Sequence, residues 1–269
     1  MQANVIHFSK YNPTGNMTVL VHSQHDSANY SAIAQSVMSE SHLFCEQVGF
    51  MIKPFVDEHY ELVMSGKEFC GNAALSFAHY LYSQKFITKQ NFKIKMSGIS
   101  HQTHCYVHKL GLYEVGMPRA LEVDETVVVL ADQHYDAVIV TYKSYQHIVL
   151  PVSTVTEDLR QACEHYVQSQ QWPTYFKTIG LLLYDAASQN MTPLIYVPEV
   201  NSLVWEHSCA SGTASIGAYY TYRTAIKCEH FTVNQPGGPM WVSSNKRGQH
   251  YHMTIKGHVT TVATGLAYI

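Results

Sequence analysis

The feature that most constrains this chain is an internal repeat. The run Cys-Gly-Asn-Ala-Ala-Leu-Ser-Phe-Ala-His-Tyr from Cys70 aligns without gaps on Cys-Ala-Ser-Gly-Thr-Ala-Ser-Ile-Gly-Ala-Tyr from Cys209. The cysteines coincide, as do Ser76 with Ser215 and Tyr80 with Tyr219. Each segment follows a strand-like run and opens a helical pattern. A further helix is predicted upstream in each half, after Asp26 and after Thr154. The chain therefore reads as two copies of one α/β unit, joined near Met117 and Pro118.

Short β-like runs fill the space between these helices: Asn4–Phe8, Met17–His22, Tyr60–Met64, Phe92–Met96, Thr126–Leu130, Ile148–Val152, Ile179–Tyr184, Leu194–Val197 and Val259–Ala263. Their Val, Ile, Tyr and Phe content and their polar or Gly/Pro boundaries are strand signals. The helix after Asp26 carries Ile33 and Val37 on one face. The helix after Thr154 is expected to open with a Thr154–Glu157 capping box and to bury Leu159, Cys163, Tyr166 and Val167.

Composition narrows the partners. A hydrophobic content of 46% in 269 residues supplies a sizeable core. The formal charge of -3, with no dense Lys/Arg run, excludes a nucleic-acid partner, because phosphate-backbone binding depends on clustered cations. No basic segment followed by an apolar stretch opens the chain, and nothing approaches the roughly 18 to 20 apolar residues that span a bilayer. No membrane association and a cytoplasmic location are the expectation. Six scattered cysteines do not form a disulfide framework in a chain of this size, so reduced thiols are expected. The usual zinc spacings are missing; His101 with His104 and His250 with His252 read as solvent-facing imidazoles, and no metal is expected.

Cys70 precedes Gly71 and Asn72, and Cys209 precedes Ala210, Ser211, Gly212 and Thr213, so each thiol is predicted at a helix N-terminus. The unpaired N–H groups and positive dipole end there favour a thiolate and also make a nest for a carboxylate. Two such sites facing one another across a cleft would place a sulfur on each face of an amino acid's Cα. One thiolate would remove the proton while the opposite thiol delivers another, with no cofactor required. The carbanion would need preorganised N–H donors in a dry site. The competing reading of either cysteine is a small buried hydrophobe.

At these residues the sequence resembles the diaminopimelate epimerase family of PLP-independent isomerases, nearly end to end. The resemblance rests on Phe8-Ser9-Lys10-Tyr11 with Gly15-Asn16, on Glu46-Gln47, on Phe69-Cys70-Gly71-Asn72 and on Val115-Gly116-Met117-Pro118. It continues through Cys209-Ala210-Ser211-Gly212-Thr213, Gln235-Pro236-Gly237-Gly238 and Val262-Ala263-Thr264-Gly265. It implies an α/β (α+β) fold of two pseudo-symmetric lobes, each a mixed, largely antiparallel sheet wrapped around a central helix. The first lobe would span residues 1–118, with 262–269 returning to it, and the second residues 119–261. By resemblance, Cys70 and Cys209 are the acid/base groups, and Gly71, Asn72, Ala210 and Ser211 offer backbone N–H groups to the substrate carboxylate. Asn16, Gln47 and Glu199 would help hold its amino group. On the residues alone, Asn16 is equally a turn residue and Glu199 a loop carboxylate.

Departures from the family pattern bear on substrate. Family members grip a distal carboxylate with asparagines and an Arg that follows the acid matching Glu199; here Val200 and Asn201 follow it, and the neighbouring segments read Tyr145-Gln146-His147 and Thr178. With no cation left, a second buried anion would be costly. The chain is similar throughout, including Tyr11-Asn12-Pro13, Cys45-Glu46-Gln47-Val48-Gly49-Phe50 and Trp205-Glu206, to the branch that racemises histidine for opine metallophores. That implies a small-molecule amino-acid substrate with a neutral or partly protonated imidazole, and a homodimer is the candidate assembly. Glu46 is the hypothesised imidazole partner, against a surface or salt-bridged acid. The alternatives are an epimerase for diaminopimelate or another amino acid, and a non-catalytic metal- or histidine-binding module.

Overall fold

A computed structural model of the chain describes residues 5–55 and 59–269; Asn4, the first residue of the first predicted strand, lies outside them. Two compact units emerge. One comprises Met1–Gly116 with Lys256–Ile269, the other Met117–Ile255.

The first unit runs β1 (Val5–Pro13), β2 (Thr18–Val21), α1 (Tyr30–Met38), β3 (Gln47–Ile52), β4 (Glu61–Met64), α2 (Gly71–Ser83), β5 (Asn91–Met96), β6 (Thr103–Lys109) and β7 (Leu112–Gly116). The strands neighbour one another in chain order. Helix α2 is buried continuously from Gly71 to Leu81 and packs on β1, β2, β3, β5 and β7, so the sheet wraps around it. A helix apolar on all sides is stable only when enclosed in this way. Helix α1 covers the other face, where Ile33, Ala34 and Val37 meet Ile6, Val19, Val21, Val48 and Phe50.

The second unit runs β8 (Glu122–Leu130), β9 (Gln133–Thr141), β10 (Tyr145–Pro151), α3 (Glu157–Ser169), β11 (Thr178–Asp185), β12 (Asn190–Val197), β13 (Ser202–Trp205), α4 (Ala210–Thr224), β14 (Cys228–Gln235) and β15 (Gly238–Arg247). Its sheet order is β8-β9-β10-β11-β12-β14-β15, with β13 paired to β12. Strand β11, parallel to β10 and antiparallel to β12, is buried from Ile179 to Tyr184 without alternation because both its faces are covered. Ile179, Leu181 and Leu183 meet Cys163 and Val167 of α3. On the opposite face, Leu182 lies against Gly212 of α4. The last strand, β16 (His250–Tyr268), starts in this unit, bridging Tyr251 to Ala120, and ends in the first, where Val259–Tyr268 pairs with β1.

The Thr154–Glu157 capping box does not form. Helix α3 starts at Glu157, and the cap is Thr156, whose Oγ1 accepts the N–H of Leu159 at 3.2 Å. That start puts Glu157 and Asp158 in the first turn, where the dipole favours anions. The predicted stripe is kept, with Cys163 and Val167 fully buried. No helix among the described residues is long and apolar enough to cross a membrane.

Candidate active site

Each repeat cysteine is the N-cap of its helix. Cys70 has φ −125° and ψ 116°, and its Sγ accepts the N–H of Ala73 at 3.4 Å; Cys209 has φ −127° and ψ 108°, and its Sγ accepts the N–H of Gly212 at 3.3 Å. N-caps are commonly oxygen side chains; a sulfur here meets the same unpaired amides. All six cysteines are free thiols. Cys45, Cys105, Cys163 and Cys228 are buried, and burial raises the pKa of each; these are structural thiols.

In the first unit the sheet gathers the expected residues at one end. Strands β2 and β3 are parallel, with Thr18 opposite Gln47, so Asn16 and Glu46, each just before a strand, leave the sheet together. The carbonyl of Met17 accepts the N–H groups of Glu46 at 2.8 Å and Gln47 at 3.1 Å. The fully buried Asn16 donates from Nδ2 to Glu46 Oε2 at 2.7 Å. Strand β4 is antiparallel to β3 and finishes at this same end, with Met64 opposite Gly49, and its chain then runs to Cys70. Gly71 and Asn72 are buried in the first turn of α2. Two residues before Cys70, burial raises the pKa of the Glu68 carboxyl.

In the second unit Cys209 is held from several sides. Gln235 Oε1 accepts the Cys209 N–H at 2.6 Å, while its Nε2 donates at 3.0 Å to Thr213 Oγ1, which in turn donates to the Cys209 carbonyl at 2.9 Å. One glutamine thus fixes the cap's backbone from both sides. Ser211 Oγ lies 3.4 Å from the Cys209 sulfur, and Ala210 is buried beside it. Behind the first turn, Ser215 Oγ joins Tyr142 Oη and His147 Nδ1, each at 2.8 Å. Burial lowers the pKa of the His147 imidazole to about 3, so the ring is neutral.

Glu199 is not brought to this helix start. It lies at the β12–β13 turn, 72% exposed, with Lys177 Nζ at 3.3 Å from its carboxylate. The carboxylate acting on Cys209 is that of Glu206. Strand alternation explains the choice: Trp205 turns toward α3, its Nε1 donating to Glu164 at 2.6 Å, so the next residue turns to the α4 side. Burial first, and then the charge of Glu206, hold the Cys209 thiol well above its ordinary pKa, with Glu206 accepting its hydrogen bond. In this state Cys209 is a thiol, the acid form, cradled by amides that would welcome the thiolate once a proton leaves.

A family model for the histidine racemase CntK N-terminal domain matches residues 5–268. The chain belongs to the histidine racemase family. It is 47% identical to the histidine racemase of Staphylococcus aureus (strain Mu50 / ATCC 700699), over all of both chains. It is 31% identical to the histidine racemase of Fusobacterium nucleatum subsp. nucleatum (strain ATCC 25586), covering 100% of this chain and 98% of that one. Among solved structures, a hydroxyproline epimerase from Agrobacterium vitis superposes with a TM-score of 0.72 at 8% identity, covering 98% of this chain and 93% of that one. A PhzF-family phenazine biosynthesis protein from Bacillus anthracis gives 0.68 at 13% identity over all of both chains. These two distant likenesses show the α+β fold alone, since a fold does not fix a function.

Glu206, Gln235 and Tyr145 are absent from the site predicted by sequence. All three appear in quoted segments without a role. The signal available for Glu206 was its place three residues before a catalytic-type cysteine, directly after a strand.

Proposed function

We propose that this family member interconverts L-histidine and D-histidine without PLP, using Cys70 and Cys209 as the two acid–base groups. The observation that supports this best is the matched pair of cysteine N-caps, equal in backbone geometry and in the amide each sulfur accepts. One sulfur as thiolate takes the Cα proton, and the C–H electron pair is left on Cα, delocalised into the α-carboxylate. The other thiol gives a proton to the opposite face, and the two exchange protonation states. Backbone amides of Gly71, Asn72, Ala210 and Ser211 are suited to the carboxylate, whose charge rises in the carbanion. Asn16 and Gln47 are suited to the amino group, and Glu46, held by Asn16, is the candidate partner of an imidazole N–H. Glu206 replaces Glu199 in this reading, keeping Cys209 protonated until it is needed. The D-histidine formed suits a cytoplasmic pathway that builds an opine metallophore of the staphylopine kind.

Circular dichroism of a panel of L-amino acids incubated with the purified protein tests the reading. Loss of optical signal with L-histidine, and none with diaminopimelate, is expected. A panel in which histidine keeps its signal while another amino acid loses it overturns the substrate assignment.

A further inference from the structure

Beside Cys209 stands an aromatic wall that the two-thiol chemistry does not use. Tyr145 stacks on Tyr142 with ring centroids 4.1 Å apart and planes 14° from parallel, and His147 tilts against it at 5.2 Å. The wall is held rigidly. The Tyr142 N–H donates to the Tyr145 carbonyl at 3.0 Å, Tyr142 Oη is bound to Ser215, and His147 rests against Gly180, where a Cβ would come within 2.4 Å of its ring. The Tyr145 hydroxyl oxygen is buried yet meets no hydrogen-bond partner among the described residues, and the same holds for His147 Nε2 beside it, whereas Tyr142 Oη and His147 Nδ1 are both bonded to Ser215.

A buried hydroxyl without a partner is destabilising, and natural structures keep few of them. The phenol is also electrostatically coupled to the cysteine: burial, then Tyr142, then Cys209 hold it firmly protonated. A neutral donor, set in a flat aromatic surface at the sulfur that would face Cα, suits a substrate side chain that is itself flat and carries an acceptor atom. Neutral imidazole has that shape and one unprotonated ring nitrogen.

We propose that Tyr145 is a specificity-determining residue whose hydroxyl donates to a ring nitrogen of bound histidine, with the Tyr142–Tyr145–His147 wall receiving the imidazole. This rests on the histidine racemase reading above. The hydroxyl then gains a partner only when substrate is present, so removing it should act oppositely on the free protein and on the complex.

The test is Tyr145→Phe, which keeps the ring and deletes the oxygen. The free variant should melt at, or about 2 to 4 °C above, the wild-type temperature, because an unpaired buried group has been removed. Its KM for L-histidine should rise about tenfold or more, with kcat changed less. A melting temperature lowered by several degrees would mean that the hydroxyl has a partner in the protein, and would overturn the proposal. So would an unchanged KM, or a kcat lost at constant KM, which would put the phenol on the thiol rather than on the substrate ring. Wild type that leaves histidine untouched refutes the underlying activity; wild type that inverts histidine beside a Tyr145→Phe variant of equal KM refutes this inference alone.

Discussion

Replacing His147 by glutamine removes the buried imidazole that braces the first turn behind Cys209, and its effect on stability can be worked out as a function of pH. The ring is fully buried, and burial lowers its pKa from 6.5 to about 3. Because the folded-state value lies below the unfolded one, the unfolded chain binds this proton first as pH falls. The stability associated with the neutral ring is therefore complete above 6.5 and is lost on the way down toward 3. Each pH unit in that window is worth up to about 1.4 kcal/mol, so the loss between pH 7 and pH 4 is about 3 kcal/mol. His22, also lowered by burial, to about 4, titrates in wild type and variant alike and cancels in the difference. Urea unfolding followed by tryptophan fluorescence at pH 7, 6, 5 and 4 reads the effect in the right place, since Trp172, Trp205 and Trp241 all lie in the unit that contains His147. At pH 7, His147→Gln should be the less stable protein, having lost the Ser215 bond and the ring packed on Gly180. By pH 4 its deficit should have shrunk by about 3 kcal/mol. A deficit constant to within about 0.5 kcal/mol across the range would show that the ring titrates normally, and would refute the reasoning.

Gln235→Met keeps the length of the side chain but strands the Cys209 N–H and removes the bond to Thr213; a loss of about 2 to 4 kcal/mol in denaturant unfolding is expected, with turnover falling more than KM rises, and an unchanged midpoint would count against the clamp. Glu206→Gln removes a negative charge that holds the Cys209 thiol up, so its pKa should fall and alkylation of Cys209 by iodoacetamide at pH 8, followed by mass spectrometry, should accelerate. An alkylation rate equal to wild type would remove Glu206 from the thiol's environment.

The sequence made the helices and their caps legible where local chemistry decides them. Cys70 and Cys209 are followed by small residues and flanked by strands, and both are N-caps. Strands with dense apolar runs, such as Ile179–Tyr184, could be read directly, because a strand covered on both faces is apolar throughout. Several strands half open to water were missed. In β6 only Thr103, Cys105 and Val107 turn inward, between His104, Tyr106 and His108, and β14 and β15 carry their alternation on residues as polar as Gln235 and Ser244. The choice of Thr156 over Thr154 as a cap was invisible because the two threonines offer the same side chain two residues apart. Asn16 and Glu46 were proposed from resemblance, and their contact depends on two parallel strands meeting. Gln235 reaches Cys209 across 26 residues, and Tyr145 reaches the cysteine's surroundings only because β10 lies under α4. Glu199, given a role by its position in a motif, is exposed beside Lys177, whereas the carboxylate that acts on Cys209 is that of Glu206.

The two-thiol chemistry is tested most directly by following the Cα position of L-histidine and D-histidine in deuterated water, with wild type, Cys70→Ser and Cys209→Ser. The account predicts that wild type inverts both enantiomers, that each product carries one solvent deuterium at Cα, and that either serine variant loses inversion by about 100-fold or more. A product without solvent label, or either variant inverting histidine at the wild-type rate, would contradict it.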